Sequence, residues 1–132
     1  IIRDLERIGD EAQKVASMAL TLKKKGAAPA GYDEVRHMGE LVQKMLNSVL
    51  DAFSRLDVNQ ALEVAKADKK VDREFKSAMR VIVTYMMEDP RSISRVINIL
   101  WVIRSLERIG DHAKNLCEQI VFVVQGKDIR HR

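Results

Sequence analysis

Residues 2–12 read I-R-D-L-E-R-I-G-D-E-A, and residues 103–113 read I-R-S-L-E-R-I-G-D-H-A. Nine of the eleven aligned positions are identical, at a constant offset of 101 residues. An internal duplication accounts for this far better than chance. The shared identities include Glu, Arg, Gly and Asp as well as apolar positions, which packing alone does not demand. Around the first copy, Ile1, Leu5, Ile8, Ala12, Val15, Ala19 and Leu22 alternate in steps of four and three, the spacing of a helical seam. Lys23, Lys24 and Lys25 suit a helix C-terminus, and Gly26 ends the pattern. Residues 26–32 read as a linker between repeats.

Three further helices follow. The second is expected from Asp33, as N-cap, to about Leu56, with a seam of Val35, Met38, Val42, Met45, Val49, Ala52 and Leu56. The third starts after Asp57, with Gln60 three residues on as in a capping box, and continues to about Glu88. Asp89 as N-cap and Pro90 at the first helical position open the fourth, because proline's missing N–H has no partner to lose there. That helix reaches about Gln125, and Gly126 terminates it. No segment reads as a strand. The fold class is therefore all-α, with an antiparallel three-helix bundle over 33–132 preceded by a single helix over 1–25.

Bulk properties agree. A chain of 132 residues suits one domain, and 46% hydrophobic with 32% charged residues predicts a folded one. Aromatics are only 5%, which suits helix packing better than a sheet sandwich. A lone cysteine, Cys117, excludes an internal disulfide and fits a reducing, cytoplasmic compartment. No apolar run approaches the roughly 18 residues that span a bilayer, and no signal-peptide pattern is present. The chain opens on Ile1 inside a helical motif, so it is expected to be a fragment of a longer one. The net charge of +4 is spread among interspersed acids and bases with no aromatic–basic face, so nucleic-acid binding is not expected.

The chemistry concentrates in carboxylates. Glu107 and Asp111 are four apart, on one helix face, and Glu6 and Asp10 repeat the arrangement. Like charges at this spacing disfavour a helix by a few tenths of a kcal/mol, and Gly9 and Gly110 inside helices cost roughly 1 kcal/mol each relative to Ala. Close approach of a neighbouring backbone is the expected reason for the glycines. A cation is one way to account for the acids. The third helix has a seam of Ala61, Ala65, Asp68, Asp72, Phe75, Met79, Ile82 and Met86, so two carboxylates occupy apolar positions. Burying them without a partner is expensive. The fourth helix has a seam of Val96, Leu100, Ile103, Glu107, Gly110, Lys114, Cys117, Val121 and Val124. Asp72 lies 17 residues before Asp89 and Glu107 18 after it, so an antiparallel pair brings Asp68, Asp72, Glu107 and Asp111 to one level.

Two readings of that quartet stand side by side. Four converging oxygen ligands suit magnesium, manganese or iron. Alternatively, Arg104, Arg108, Lys69, Lys70, Arg73 and Lys114 neutralise the acids as a salt-bridge layer that fixes helix register. His112 points about 100° away from Asp111 around the helix and ranks below the carboxylates as a ligand. His37 and His131 suit surface roles, Cys117 a small core residue, and Met38, Met45, Met79 and Met86 core filler. No Gly-rich phosphate-cradling loop is present, which argues against nucleotide hydrolysis.

These residues together resemble the PhoU family. The elements that carry the likeness are D-L-E-R-I-G-D-E-A at 4–12, D-K-K-V-D at 68–72, T-Y-M-M-E-D at 84–89, L-E-R-I-G-D-H at 106–112 and the closing G-K-D-I-R-H at 126–131. The resemblance implies two three-helix repeats with acidic E/D-x-x-x-D motifs. Residues 1–25 are then the last helix of an incomplete N-terminal repeat, and 33–132 a complete C-terminal one. It implies a non-enzymatic cytoplasmic regulator that damps phosphate uptake and holds the phosphate-starvation response off. Such a protein links the ATPase of a phosphate ABC transporter to a sensor histidine kinase, works as a homodimer and meets the membrane only through partners. Metal clusters, often iron, are implied on the motifs, with Asp68, Asp72, Glu107 and Asp111 as the complete site and Glu6 and Asp10 as half of another. A metal-binding helical module and a metal-dependent phosphoester hydrolase are the alternatives; no independent nucleophile, base or pocket speaks for the hydrolase.

Overall fold

The structure, a computed structural model, describes residues 2–25 and 31–126, with side chains at 2–20 and 31–126. Most of the linker (26–30) and the closing residues 127–132, with His131, lie outside the described residues. Four long helices carry the fold: α1 (Ile2–Lys25), α2 (Tyr32–Arg55), α3 (Val58–Glu88) and α4 (Ile93–Gln125). A short 3-10 turn, Pro90–Ser92, joins the last two. Among the described residues there is no strand, and no helix is long and apolar enough to cross a membrane.

The caps explain most of the boundaries. Asp57 caps α3 by accepting from the Gln60 N–H at 3.1 Å. The reciprocal half of the expected box is absent: the Asp57 N–H donates to the Ala52 carbonyl at 2.9 Å, and the Gln60 side-chain oxygen accepts from Arg55 at 2.8 Å. Asp89 accepts from the Arg91 N–H at 3.2 Å ahead of the 3-10 turn, and Gly126 closes α4 in the left-handed conformation with φ 68°. The start of α2 differs from the sequence expectation. Asp33 lies inside the first turn, and Gly31 is the N-cap at φ 105°. A Cβ at Gly31 would stand 2.7 Å from Ile99 Cγ2 and 3.0 Å from Ile82 Cδ1. The chain thus enters α2 pressed against α3 and α4, where only glycine fits; Asp33 and Glu34 still complement the helix dipole.

The longest helix, α4, is the axis of the molecule. One side of it packs against α2 and α3, which also pack on each other; α1 lies along α4 and touches neither α2 nor α3 among the described residues. Asp4 meets His112 and Gln119 while Glu11 meets Arg108, so α1 runs antiparallel to α4. The core holds Met38, Val42, Val49, Phe75, Ile82, Ile99, Ile103 and Cys117. Met79 and Met86 pack against it from the edge.

The α2 seam is buried at Met38, Val42, Met45, Val49 and Ala52, as its spacing predicts. Two other seams are turned. The core face of α3 is Ala61, Val64, Asp68, Val71, Phe75, Ala78 and Ile82, so Val64, Val71 and Ala78 replace Ala65, Asp72 and Met79 at its centre. Squeezed between α2 and α4, the helix buries a stripe wider than one seam. In α1, Asp4, Ile8 and Glu11 are buried while Leu5, Ala12 and Ala19 are exposed. Contact with a single neighbour whose near face carries Arg108, His112 and Gln119 favours the acidic edge of α1 over its apolar line.

Candidate metal centre

Asp68 sits on the core face of α3 and is only 3% exposed. The antiparallel run of α4 brings Asp111 opposite it, and Asp72, one turn along α3, stands at the rim of the helix pair. One carboxylate oxygen from each of Asp68, Asp72 and Asp111 lies within 4.8 Å of the other two. Two oxygens on a single ion at bond lengths of about 2.1–2.4 Å are at most roughly 4.2–4.8 Å apart, so this spacing is compatible with one hard cation. Three anionic oxygen donors suit magnesium, manganese or iron better than softer ions.

Proximity of like charges disturbs the trio. Although Asp111 is exposed by area, partial desolvation against α3, reinforced by the charges of Glu107, Asp72 and Asp68, pushes its carboxyl up to about 6. Burial also raises Asp68, helped by Asp72 and opposed by Lys114, whose Nζ lies 3.5 Å from Asp68 Oδ2. Asp72 and Asp111 have no ion pair among the described residues.

The sequence-predicted quartet is therefore brought together in part. Glu107 stands outside the trio, towards the α3–α4 turn, and pairs with Arg104 at 3.3 Å. Glu107 is a full turn before Asp111 on α4 and is not among the carboxylates that meet there. Glu6 and Asp10 lie on the exposed side of α1, with Asp10 paired to Arg7 at 3.7 Å. No other described element supplies carboxylates to them. Of the candidate neutralising bases, Lys114 reaches Asp68 and Arg104 reaches Glu107, whereas Arg108 turns to α1 and meets Glu11 at 3.7 Å. Gly9 and Gly110 are not explained by a close backbone: a Cβ at either would find nothing within 4 Å. Nothing in the structure accounts for these two glycines.

The remaining candidates fall where the sequence puts them or nearby. His112 faces α1, away from the trio, and its Nδ1–H donates to Asp4 Oδ1 at 3.0 Å. His37 forms an exposed pair with Glu74 at 3.3 Å, linking α2 to α3. Cys117 is buried, and desolvation, with the charges of Glu118 and Asp68, raises its thiol to about 12, which leaves it inert as a nucleophile near neutral pH.

Sequence reasoning missed the buried acids of α1. Asp4 is also bonded by Gln119 Nε2 at 2.7 Å. Desolvation acts to raise its carboxyl, but hydrogen bonds from His112, Gln119 and Asn115 and the charge of His112 together leave it lowered. Glu11 is held by Lys14 at 3.3 Å and Arg108. A signal for both was present. The only mismatches between the two eleven-residue copies are Asp4 with Ser105 and Glu11 with His112. Three of those four residues meet at the α1–α4 contact, and Ser105 is buried on α4. A second Glu in place of His112 would set a carboxylate against Asp4, so the copies have to differ there.

Comparison with known proteins fits this architecture. The PhoU domain family matches residues 35–120. The chain is 62% identical over 128 residues, 97% of its length, to a phosphate-specific transport system accessory protein PhoU homolog of Pseudomonas aeruginosa, covering 53% of that protein. It is 43% identical over 130 residues to the phosphate-specific transport system accessory protein PhoU of Escherichia coli, covering 98% of this chain and 54% of the relative. The crystal structure of PhoU from Pseudomonas aeruginosa superposes with TM-score 0.92 at 60% identity, over 96% of this chain and 60% of that one. The phosphate transport system regulatory protein PhoU from Streptococcus pneumoniae does so with TM-score 0.83 at 31% identity, over 96% and 59%. The chain spans about half the length of the curated relatives it matches. A domain match over most of the sequence, on a helical bundle with the same course as solved PhoU chains, makes this chain a member of the PhoU family.

Proposed function

We propose that the chain is part of a non-enzymatic, cytoplasmic negative regulator of phosphate uptake and of the phosphate-starvation two-component response. In this reading it acts as an adaptor between the ATPase of a phosphate ABC transporter and a sensor histidine kinase, as a homodimer that meets the membrane only through those partners. The observation that carries the reading is the identity along nearly the whole chain to relatives named as accessory proteins of the phosphate-specific transport system. In the same reading α2–α4 form one complete repeat, and α1 is the closing helix of another.

The trio is the cation site of this regulator. Asp68, Asp72 and Asp111 would hold iron, manganese or magnesium, supplying anionic oxygen donors that a hard ion neutralises. Glu107, half-buried one turn away, adds negative charge without joining the trio. Glu6 and Asp10 would serve a second site only with donors from outside the described residues. The cation binds the two longest helices together at mid-length, so that occupancy bears on the packing of α3 and α4.

Deleting the gene should derepress phosphate-starvation genes in phosphate-rich medium, with the wild-type gene restoring repression; unchanged expression after deletion would sink the regulatory reading. For the site, elemental analysis should find less bound metal in an Asp72→Ala, Asp111→Ala double variant than in wild type. Equal metal content in both would favour the salt-bridge layer instead.

A further inference from the structure

Among the described residues, Lys114 is the one basic side chain that pairs with the carboxylate trio. Its Nζ lies 3.5 Å from Asp68 Oδ2, and Asp68 is nearly closed off from solvent. Three carboxylates within 4.8 Å of one another at the edge of a core favour a nearby cation, because desolvation and mutual repulsion both oppose their charge. Two arginines of α4 are engaged elsewhere, Arg104 with Glu107 and Arg108 with Glu11. Lys114 is also built to leave. It follows Asp111 by three residues on the same face of α4, and its side chain is 42% exposed, so the flexible stem can swing to water without opening the core.

We propose that Lys114 is the site's resident counter-cation: its ammonium neutralises the trio when no metal is bound and must be displaced for a divalent ion to enter. The inference rests on the metal-site reading above and adds that residue 114 sets the affinity of that site. An ammonium is a point charge with three rotatable donors, and it reaches one of the three acids here; a guanidinium would fork across a carboxylate and hold it. One monovalent charge against three carboxylates lets the chain fold without metal while leaving Asp72 and Asp111 uncompensated. A divalent ion contacts all three acids and releases Lys114 to solvent.

The test is a titration of chelator-stripped protein with Mn2+ alone, followed by calorimetry and by the EPR signal of free Mn2+. Lys114→Met should bind Mn2+ at least tenfold more tightly than wild type, a gain of about 1.4 kcal/mol. Lys114→Arg should bind more weakly than wild type. In metal-free buffer Lys114→Met should melt below wild type, and saturating Mn2+ should raise its Tm by more than it raises the wild type's. Should Lys114→Met fail to fold without metal, Lys114→Gln and Lys114→Arg carry the same comparison. Equal Mn2+ affinity in wild type, Met or Gln, and Arg proteins would overturn the counter-cation role and leave the metal site standing. Absence of Mn2+ binding in every variant would overturn the metal-site reading itself, and this role with it.

Discussion

Replacing Asp111 by Asn removes a charge that the fold holds at some cost, and the size of that cost follows from the site. In an unfolded chain the carboxyl titrates near 3.8; in the fold, burial and the charges of Glu107, Asp72 and Asp68 raise it to about 6. Above about pH 6 the group is ionised in both states, and the folded state alone bears the repulsion. As pH falls from 6 towards 3.8 the folded carboxyl takes up its proton first and the repulsion fades; below 3.8 both states are protonated and the contribution is zero. The full displacement corresponds to about 3 kcal/mol. Asp111 is nevertheless solvent-exposed, and screening reduces the figure to roughly 1 kcal/mol. For a chain of this size that is a Tm difference of about 3–5 °C. Melts of wild type and Asp111→Asn in chelator, from pH 4 to pH 8, should therefore show the variant more stable at pH 8 and the two converging near pH 4. With saturating Mn2+ the order at pH 8 should reverse, because Asn is the poorer ligand. A difference that does not change with pH, or a wild type more stable at pH 8 without metal, would refute the argument.

One cap glycine and one helix glycine give opposite expectations. Gly31→Ala should cost about 2 kcal/mol or more in urea unfolding, because the new Cβ meets Ile99 at 2.7 Å and φ is 105°. Gly110→Ala should instead gain about 0.5–1 kcal/mol, since its Cβ enters open space inside a helix; a loss there would mean that a neighbour does approach Gly110. Asp4→Ala leaves the His112 and Gln119 donors without their acceptor and should cost about 1–3 kcal/mol. Hydrogen exchange should then speed up along α1 while α2 to α4 stay protected; uniform exchange throughout would show that α1 is not separately docked.

The helices were legible because their signals are local. Asp57 and Gly126 act within a turn of their own positions, so the sequence carries those boundaries almost to the residue, whereas Asp89 and Pro90, expected to open the fourth helix, open the 3-10 turn, and α4 itself starts three residues later at Ile93. Gly31 was not legible as a cap, since its necessity comes from Ile82 and Ile99, 51 and 68 residues away. That the acids at 68, 72 and 111 come together was legible, because Asp68 interrupts an apolar stripe and a tight turn fixes the antiparallel register. Glu107 was grouped with them because a count of residues from the turn fixes height along a helix pair only to about one turn.

The sequence by itself determined the all-helical chain, its duplication and the clustering of acids on α3 and α4, since periodicity, caps and repeated residues are written in the primary structure. Tertiary structure decided which face each helix buries. Rotation about a helix axis depends on the neighbour: α1, beside α4 alone, buries Asp4 and Glu11 against its polar flank, while α3, between two helices, moves Asp72 to the rim. It also decided that Lys114, rather than any other base among the described residues, reaches Asp68. Periodicity leaves that choice open, because a 3.5 Å contact across two helices depends on their relative rotation and height.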